Sequence, residues 1–302
     1  MQSRTLWMLW VLLLTVVVIA SGQPKKRVAV FTFDDKTSHR VRWWTGQPVG
    51  EGMADMLITA LVKSGRYTVL ERTQLNQVLK EQQLGQSGAL TPESAAKVGQ
   101  LLGVEVAVIG AVTEFGHAEK NVGGAIKKVG LGLGVKNIKA SVAVDVRLVD
   151  TGSGEIMTAE SVREEESSKG LSVDTQKFDF DNKNQFDESM VGKATRKAID
   201  KVVELLDGAA ANLAFSAKII KADGVIYINV GDAAGVKPGD LFTVYRSGEA
   251  LIDPDTGLSL GSAETRIGRI KVVNNTIGNG KASECEAVEG SGFQRNDLVK
   301  QN

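Results

Sequence analysis

Two histidines, one cysteine and two glycine-rich stretches are the residues of this 302-residue chain whose types could do chemistry. His39 and His117 have no Cys or Ser motif beside them, so neither reads as the base of a nucleophile–base pair. Cys285, in KASECEAV, alternates with polar neighbours as a strand residue does, and a lone thiol forms no intrachain disulfide. In DPDTGLS, Asp253 and Asp255 lie two apart with Gly257 after them. An EF-hand loop would need further acids and a closing Glu at fixed spacing, which are missing, so the stretch reads as a turn. GLGLGV, ending at Val135, lacks the third-glycine spacing and the capped helix of a dinucleotide fingerprint. No glycine-rich phosphate loop ending in Lys-Ser/Thr occurs either. The expectation is a non-enzymatic protein with no catalytic residues, no metal and no cofactor.

Charge points the same way. There are 36 basic and 36 acidic side chains, so no global field draws the chain to nucleic acid or to an anionic membrane. With 42% apolar residues it has the composition of folded domains, one large or two modest.

The N-terminus carries an address. Arg4 precedes an apolar run from Leu6 to Ala20, and Ala20 and Gly22 sit where a signal peptidase prefers small residues. The run is shorter than the roughly 20 residues of a spanning helix, so residues 1–22 read as an export signal. An uncleaved anchor, with Trp7 and Trp10 at the interface, stays as the alternative. Gln23 occupies the place of a lipidated Cys, from which the expectation is a periplasmic or outer-membrane-associated protein not lipidated at its N-terminus.

Elements that would position these residues follow in alternation. RVAVFTF (27–33) reads as a buried strand, and Met53, Met56, Leu57, Ala60 and Leu61 recur at helical steps until Ser64-Gly65 ends the helix. RYTVLE (66–71) reads as a strand and TQLNQVLKEQQL as a helix, with Leu75, Val78, Leu79 and Leu84 on one side. Thr91 caps a third helix with Pro92 in its first turn, and VEVAVIGAVTEF is a third strand. Helices packed on a sheet make a small α/β sandwich. Later, Val191, Ala194, Ala198, Val202, Leu205 and Ala209 mark a long amphipathic helix. Its Lys193, Arg196, Lys197 and Lys201 form a solvated basic face.

VAVFTFDD, GEGMADMLITALVKSGRYTVLER, LGVEVAVIGAVTEF and VAVDVRLVDTGSGEIM together resemble the CsgG family, over about 27–212. The resemblance implies a three-layer-like α/β sandwich core with a β-hairpin extension. It further implies a homo-oligomeric assembly or secretion component that works with other envelope or secreted proteins. Channel members of the family contribute two β-hairpins per subunit from the region corresponding to 116–187. One candidate hairpin alternates through Val129, Leu131, Leu133 and Val135, then Ile138, Ala140, Val142 and Val144. It would lie in the membrane, at a subunit contact, or simply in the sheet. The other carries Glu164, Glu165 and Glu166 in a row, so any register turns a carboxylate outward, which argues against lipid.

From about Phe215 the pattern is all-β, with turns at Asp223-Gly224, Lys237-Pro238-Gly239-Asp240 and Ser247-Gly248. GVKPGDLFTVYR and DPDTGLSLG resemble the C-terminal domain of the flagellar ring protein FlgT, a small SH3-like barrel. The expected organisation is a signal over 1–22, a CsgG-like α/β domain over 23–212 and a small β-barrel over 213–302. The competing expectation is a monomeric periplasmic accessory or binding module that regulates an envelope enzyme or supports a flagellar ring.

Overall fold

Alternation with a period of two decides the first unit. In β1 (Lys26–Val30), Val28 and Val30 are buried on one face of a sheet, while Ala29, with Phe31 just beyond, is buried on the other. A strand buried on both faces belongs in the middle of a covered sheet. The computed structural model, which describes residues 24–37, 46–70, 91–121, 136–169, 183–211, 213–252, 254 and 259–301, places it there. β1 runs parallel to β3 (Tyr67–Val69) on one side and to β4 (Val106–Asn121) on the other. β5 (Lys136–Asp150) and β6 (Ile156–Lys169) continue antiparallel, in the order β3-β1-β4-β5-β6. A two-residue β2 (Asp34–Asp35) pairs with β4.

Helices cover both faces. α1 (Val49–Ser64) buries Met53, Leu57 and Leu61 against Val28, Val30, Val106 and Val108, with Met56 and Ala60 only partly covered. Its end is the one the sequence signals, for Gly65 adopts φ 67 and its N–H closes on Val62 O. Its start is fixed by a close approach: a Cβ on Gly50 would stand 1.9 Å from Phe33 O, so only glycine fits. α2 (Pro92–Leu102) packs Ala95 and Val98 on the opposite face, against Ala29, Phe31 and Ala107. Thr91 Oγ1 accepts the Ser94 amide at 3.3 Å, the expected cap. The helix expected after Thr73 lies outside the described residues.

A short α3 (Lys183–Glu188) precedes α4 (Met190–Ala211), which lies beside α1 and across β5 and β6. Its buried stripe runs through Val191, Ala194, Ala198 and Val202 and then passes to Leu206 and Ala210. Leu205 and Ala209, expected on the stripe, are only partly buried.

Six strands then close into a barrel: β7 (Ser216–Asp223), β8 (Val225–Ile228), β9 (Leu241–Ile252), β10 (Ser259–Thr276), β11 (Ala282–Gly290) and β12 (Leu298–Lys300). Their order around the barrel is β10-β11-β8-β7-β12-β9. Ile219, Ile228, Phe242, Val244, Ile270, Val272 and Val299 fill it. Closure leaves no free edge.

Candidate functional site

Two places gather the side chains that composition alone could not place. The first is the ribbon of β4, β5 and β6. In its ladder Asn121 pairs with Lys136 and Asn137 with Lys169, so the connections 122–135 and 170–182 leave from the same end of the sheet.

Of the residues picked out by alternation, Val129, Leu131, Leu133 and Val135 lie outside the described residues. Ile138 stands on β5 opposite Glu119 and Ser168. Ala140, Val142 and Val144 are fully buried in the cluster that includes α4. For these three, core packing replaces the membrane or subunit-contact reading, because a helix of the same chain already covers their face.

The three glutamates are likewise occupied. Glu166 pairs with Lys197 of α4 at 2.6 Å and Glu164 with Lys201. Lys197 is raised above the ordinary lysine range by its hydrogen bond and charge contact with Glu166. On the other face Glu165 meets Lys139 and Arg163, each at 3.2 Å, and Arg163 reaches Glu114 at 3.0 Å. Arg196 pairs with Asp187. The basic stripe of α4 is therefore largely neutralised from within; its purpose is to fasten the edge strand β6 to the helix.

The second place is the seam between sheet and barrel. Lys26 and Glu105 are each only 7% exposed, although both belong to types that rarely bury without partners. The Lys26 ammonium donates to Leu213 O at 2.7 Å and stands 5.8 Å from the centre of the Phe215 ring. Glu105 accepts the Arg27 amide at 2.7 Å, and its own amide donates to Arg27 O. Arg27 Nη2 caps α2 by donating to Leu102 O at 3.0 Å, and Lys25 N donates to Ala234 O of the barrel at 2.6 Å. Burial pushes the Glu105 carboxyl above the usual carboxylate range, while the Arg27 amide and the charges of Lys26 and Arg27 pull part of that shift back. Burial likewise lowers Lys26, against the pull of Glu105.

Above this seam opens a cleft of about 690 Å³. One wall is Gly103 to Glu105 with the turn at Asp150 to Ser153; the other is the outer face of the barrel. Sequence reasoning missed it because its two walls come from distant parts of the chain. Cys285 lies apart from both places, buried within the barrel, and burial pushes its thiol up to about 12, so it is inert at neutral pH. His39 lies outside the described residues, while His117 stands on β4 opposite Ala140.

A 28%-identical relative covers 61% of this chain and 77% of its own length; it is a Neisseria meningitidis serogroup B protein that carries a lipoprotein name, NMB1126/NMB1164. Among solved structures, hypothetical protein CT253 from Chlamydia trachomatis is 18% identical with a TM-score of 0.41, covering 62% of this chain and 99% of that one. Lipoprotein GNA1162 from N. meningitidis is 16% identical with a TM-score of 0.34 over the same shares.

These names correct one expectation. An unlipidated N-terminus was inferred from a single position, Gln23, whereas the N. meningitidis relative NMB1126/NMB1164 is named as a lipoprotein, so that inference does not stand. Residues 13–222, more than half of the chain, match the model of the family described as Curli production assembly/transport component CsgG, and the chain belongs to that family.

Proposed function

We propose that this protein is a non-enzymatic, exported component of the cell envelope that works as a homo-oligomer in assembly or secretion, after the manner of curli transport. Family membership over 13–222 supports the reading, and one observation carries it. The strands β4, β5 and β6, of 16, 15 and 14 residues, launch the segments 122–135 and 170–182 side by side from one end of the sheet. Two chain segments that leave one end of a sheet are what a subunit needs to join its neighbours in a ring or to enter a shared barrel.

In this division of labour 1–22 directs export, 23–212 forms the ring, and 213–302 is a FlgT-like docking barrel. Val129, Leu131, Leu133 and Val135 provide the contact between subunits or with the outer membrane. No cofactor or nucleic acid takes part.

The test is removal of residues 123–135, with particle size read by analytical ultracentrifugation and electron microscopy of detergent-extracted membranes. Loss of rings with an unchanged monomer fold is the expected result. Rings of unaltered size would remove the segment from the mechanism. A wild-type chain that sediments as a monomer would favour the second reading, an accessory binding module. That reading draws its support from the seam cleft and from the burial of Ala140, Val142 and Val144 inside a single subunit.

A further inference from the structure

The seam cleft has walls but no assigned occupant, and its chemistry narrows what it can hold. The barrel wall is a run of neighbouring strands, β8, β7, β12, β9 and β10, contributing among others Asn229, Lys218, Lys300, Ser247 and Glu264. Five strands at the usual spacing make a trough about 19 Å long, enough for five or six residues of extended chain. The shape suits a linear segment better than a compact molecule.

Among the described residues no aromatic side chain lines the trough, so these residues offer no platform on which a sugar ring or a base could stack. Glycine, alanine and serine supply nine of the nineteen lining residues, which leaves room for a main chain and small side chains. On β9, Ser247 and Ala250 pair with Glu264 and Ser262, so Gly248 and Glu249 together face Ala263. This bulge withdraws main-chain groups from the ladder at one end of the trough.

The charges are distributed unevenly. Lys300 is held by both oxygens of Glu264, at 2.7 and 2.6 Å, and Asp150 caps the Gly152 amide at 2.7 Å. At the β7–β8 end, by contrast, Asn229 Nδ2 and the Lys218 ammonium have no acceptor among the described residues, and Arg27, whose charge also faces Glu105 of the opposite wall, keeps Nη1 free of one. Asn229 accepts the Lys218 amide through Oδ1 at 2.7 Å, which leaves its Nδ2 donors unused. Nδ2 and Arg27 Nη1 stand 3.4 and 3.2 Å from where a Cβ on Gly103 would be, so both converge over that glycine. The Lys218 ammonium, on the adjoining strand, has no charged partner among the described residues.

We propose that this cleft binds an extended peptide segment whose carboxylate sits at the Arg27–Lys218–Asn229 end. Guanidinium and amide donors that converge over Gly103, with the Lys218 ammonium lining the same end of the cleft, match a carboxylate by charge and by hydrogen bonding. The carboxylate is either a polypeptide C-terminus or an Asp or Glu side chain. This site is independent of the ring-forming role and needs none of residues 122–135.

The test uses the full chain and two variants. Lys218→Glu inverts the charge, and Asn229→Asp keeps the acceptor for the Lys218 amide while removing the Nδ2 donors. Two random hexapeptide libraries, one with free C-terminal carboxylates and one amidated, are passed over each protein beside a panel of neutral oligosaccharides, and retained ligands are read by mass spectrometry. The full chain is expected to retain peptides, and each variant to lose about tenfold or more in affinity with an unchanged Tm. Retention confined to free-acid peptides assigns the carboxylate to a C-terminus; retention of amidated peptides bearing Asp or Glu assigns it to a side chain. Failure to retain either library overturns the proposal, as does equal retention by the variants or retention of oligosaccharides alone.

Discussion

Gly50 illustrates how little room single positions leave. A Cβ there would lie 1.9 Å from Phe33 O, backbone against helix, with no flexible side chain to give way. Gly50→Ala is expected to cost about 2 kcal/mol or more, read as a lower Tm with unchanged oligomer contacts. The sequence shows the helical repeat from Met53 onward but not the carbonyl that demands glycine near its start, because Phe33 lies upstream of β2 and meets the helix only in the fold. Gly65, Thr91 and Pro92 were legible, since capping is local and each acts within four residues of itself. Cys285 read correctly as a strand residue, and its burial explains why a lone thiol need not signal redox chemistry.

At the scale of elements, β6 is an edge strand that no neighbour covers among the described residues, and its stability comes from α4. Charged side chains directed at a helix hold it flat while keeping its face polar. Glu164→Lys places a third positive charge beside Lys197 and Lys201 and is expected to speed amide hydrogen exchange along β6. The exchanged pair Glu164→Lys with Lys201→Glu should restore protection, and a double variant that exchanges as fast as the single one would show that the ion pair does not fasten the strand. The triple glutamate was visible in the sequence, but its meaning was not. Alternation gives the two faces of a strand, whereas which face receives a helix depends on Lys197 and Lys201, about 35 residues downstream and out of reach of any local pattern. The same gap left Ala140, Val142 and Val144 open between readings, since their alternation fits lipid, a partner or a covering helix equally well.

For the molecule as a whole, the seam decides how its two units behave together. Glu105 has a folded-state pKa raised above its usual 4.5 by burial, so the protonated form is favoured in the closed seam. Its contribution is thus fully present below that unfolded value and is lost as pH rises through the folded one. Relative to Glu105→Gln, the wild-type urea midpoint is expected to fall as pH rises from about 4.5. A constant difference between the two proteins across that range would show that the carboxyl does not titrate with the seam. The two-part organisation could be read from the change of pattern near Phe215. The seam could not, because Lys25 and Lys26 of the sheet unit meet Ala234 and Leu213 only once the barrel has formed.

That late meeting has a consequence for the order of events during synthesis. Residues 25–27 emerge early, yet Lys25 finds its acceptor on Ala234 and Lys26 its acceptor on Leu213, both made much later along the chain. Until the barrel exists, Lys25 and Lys26 lack these acceptors. Once the barrel docks, both residues are held in the joint. Tension arriving from a membrane attachment upstream would then reach a central parallel strand in shear, shared by both units, instead of peeling one of them away.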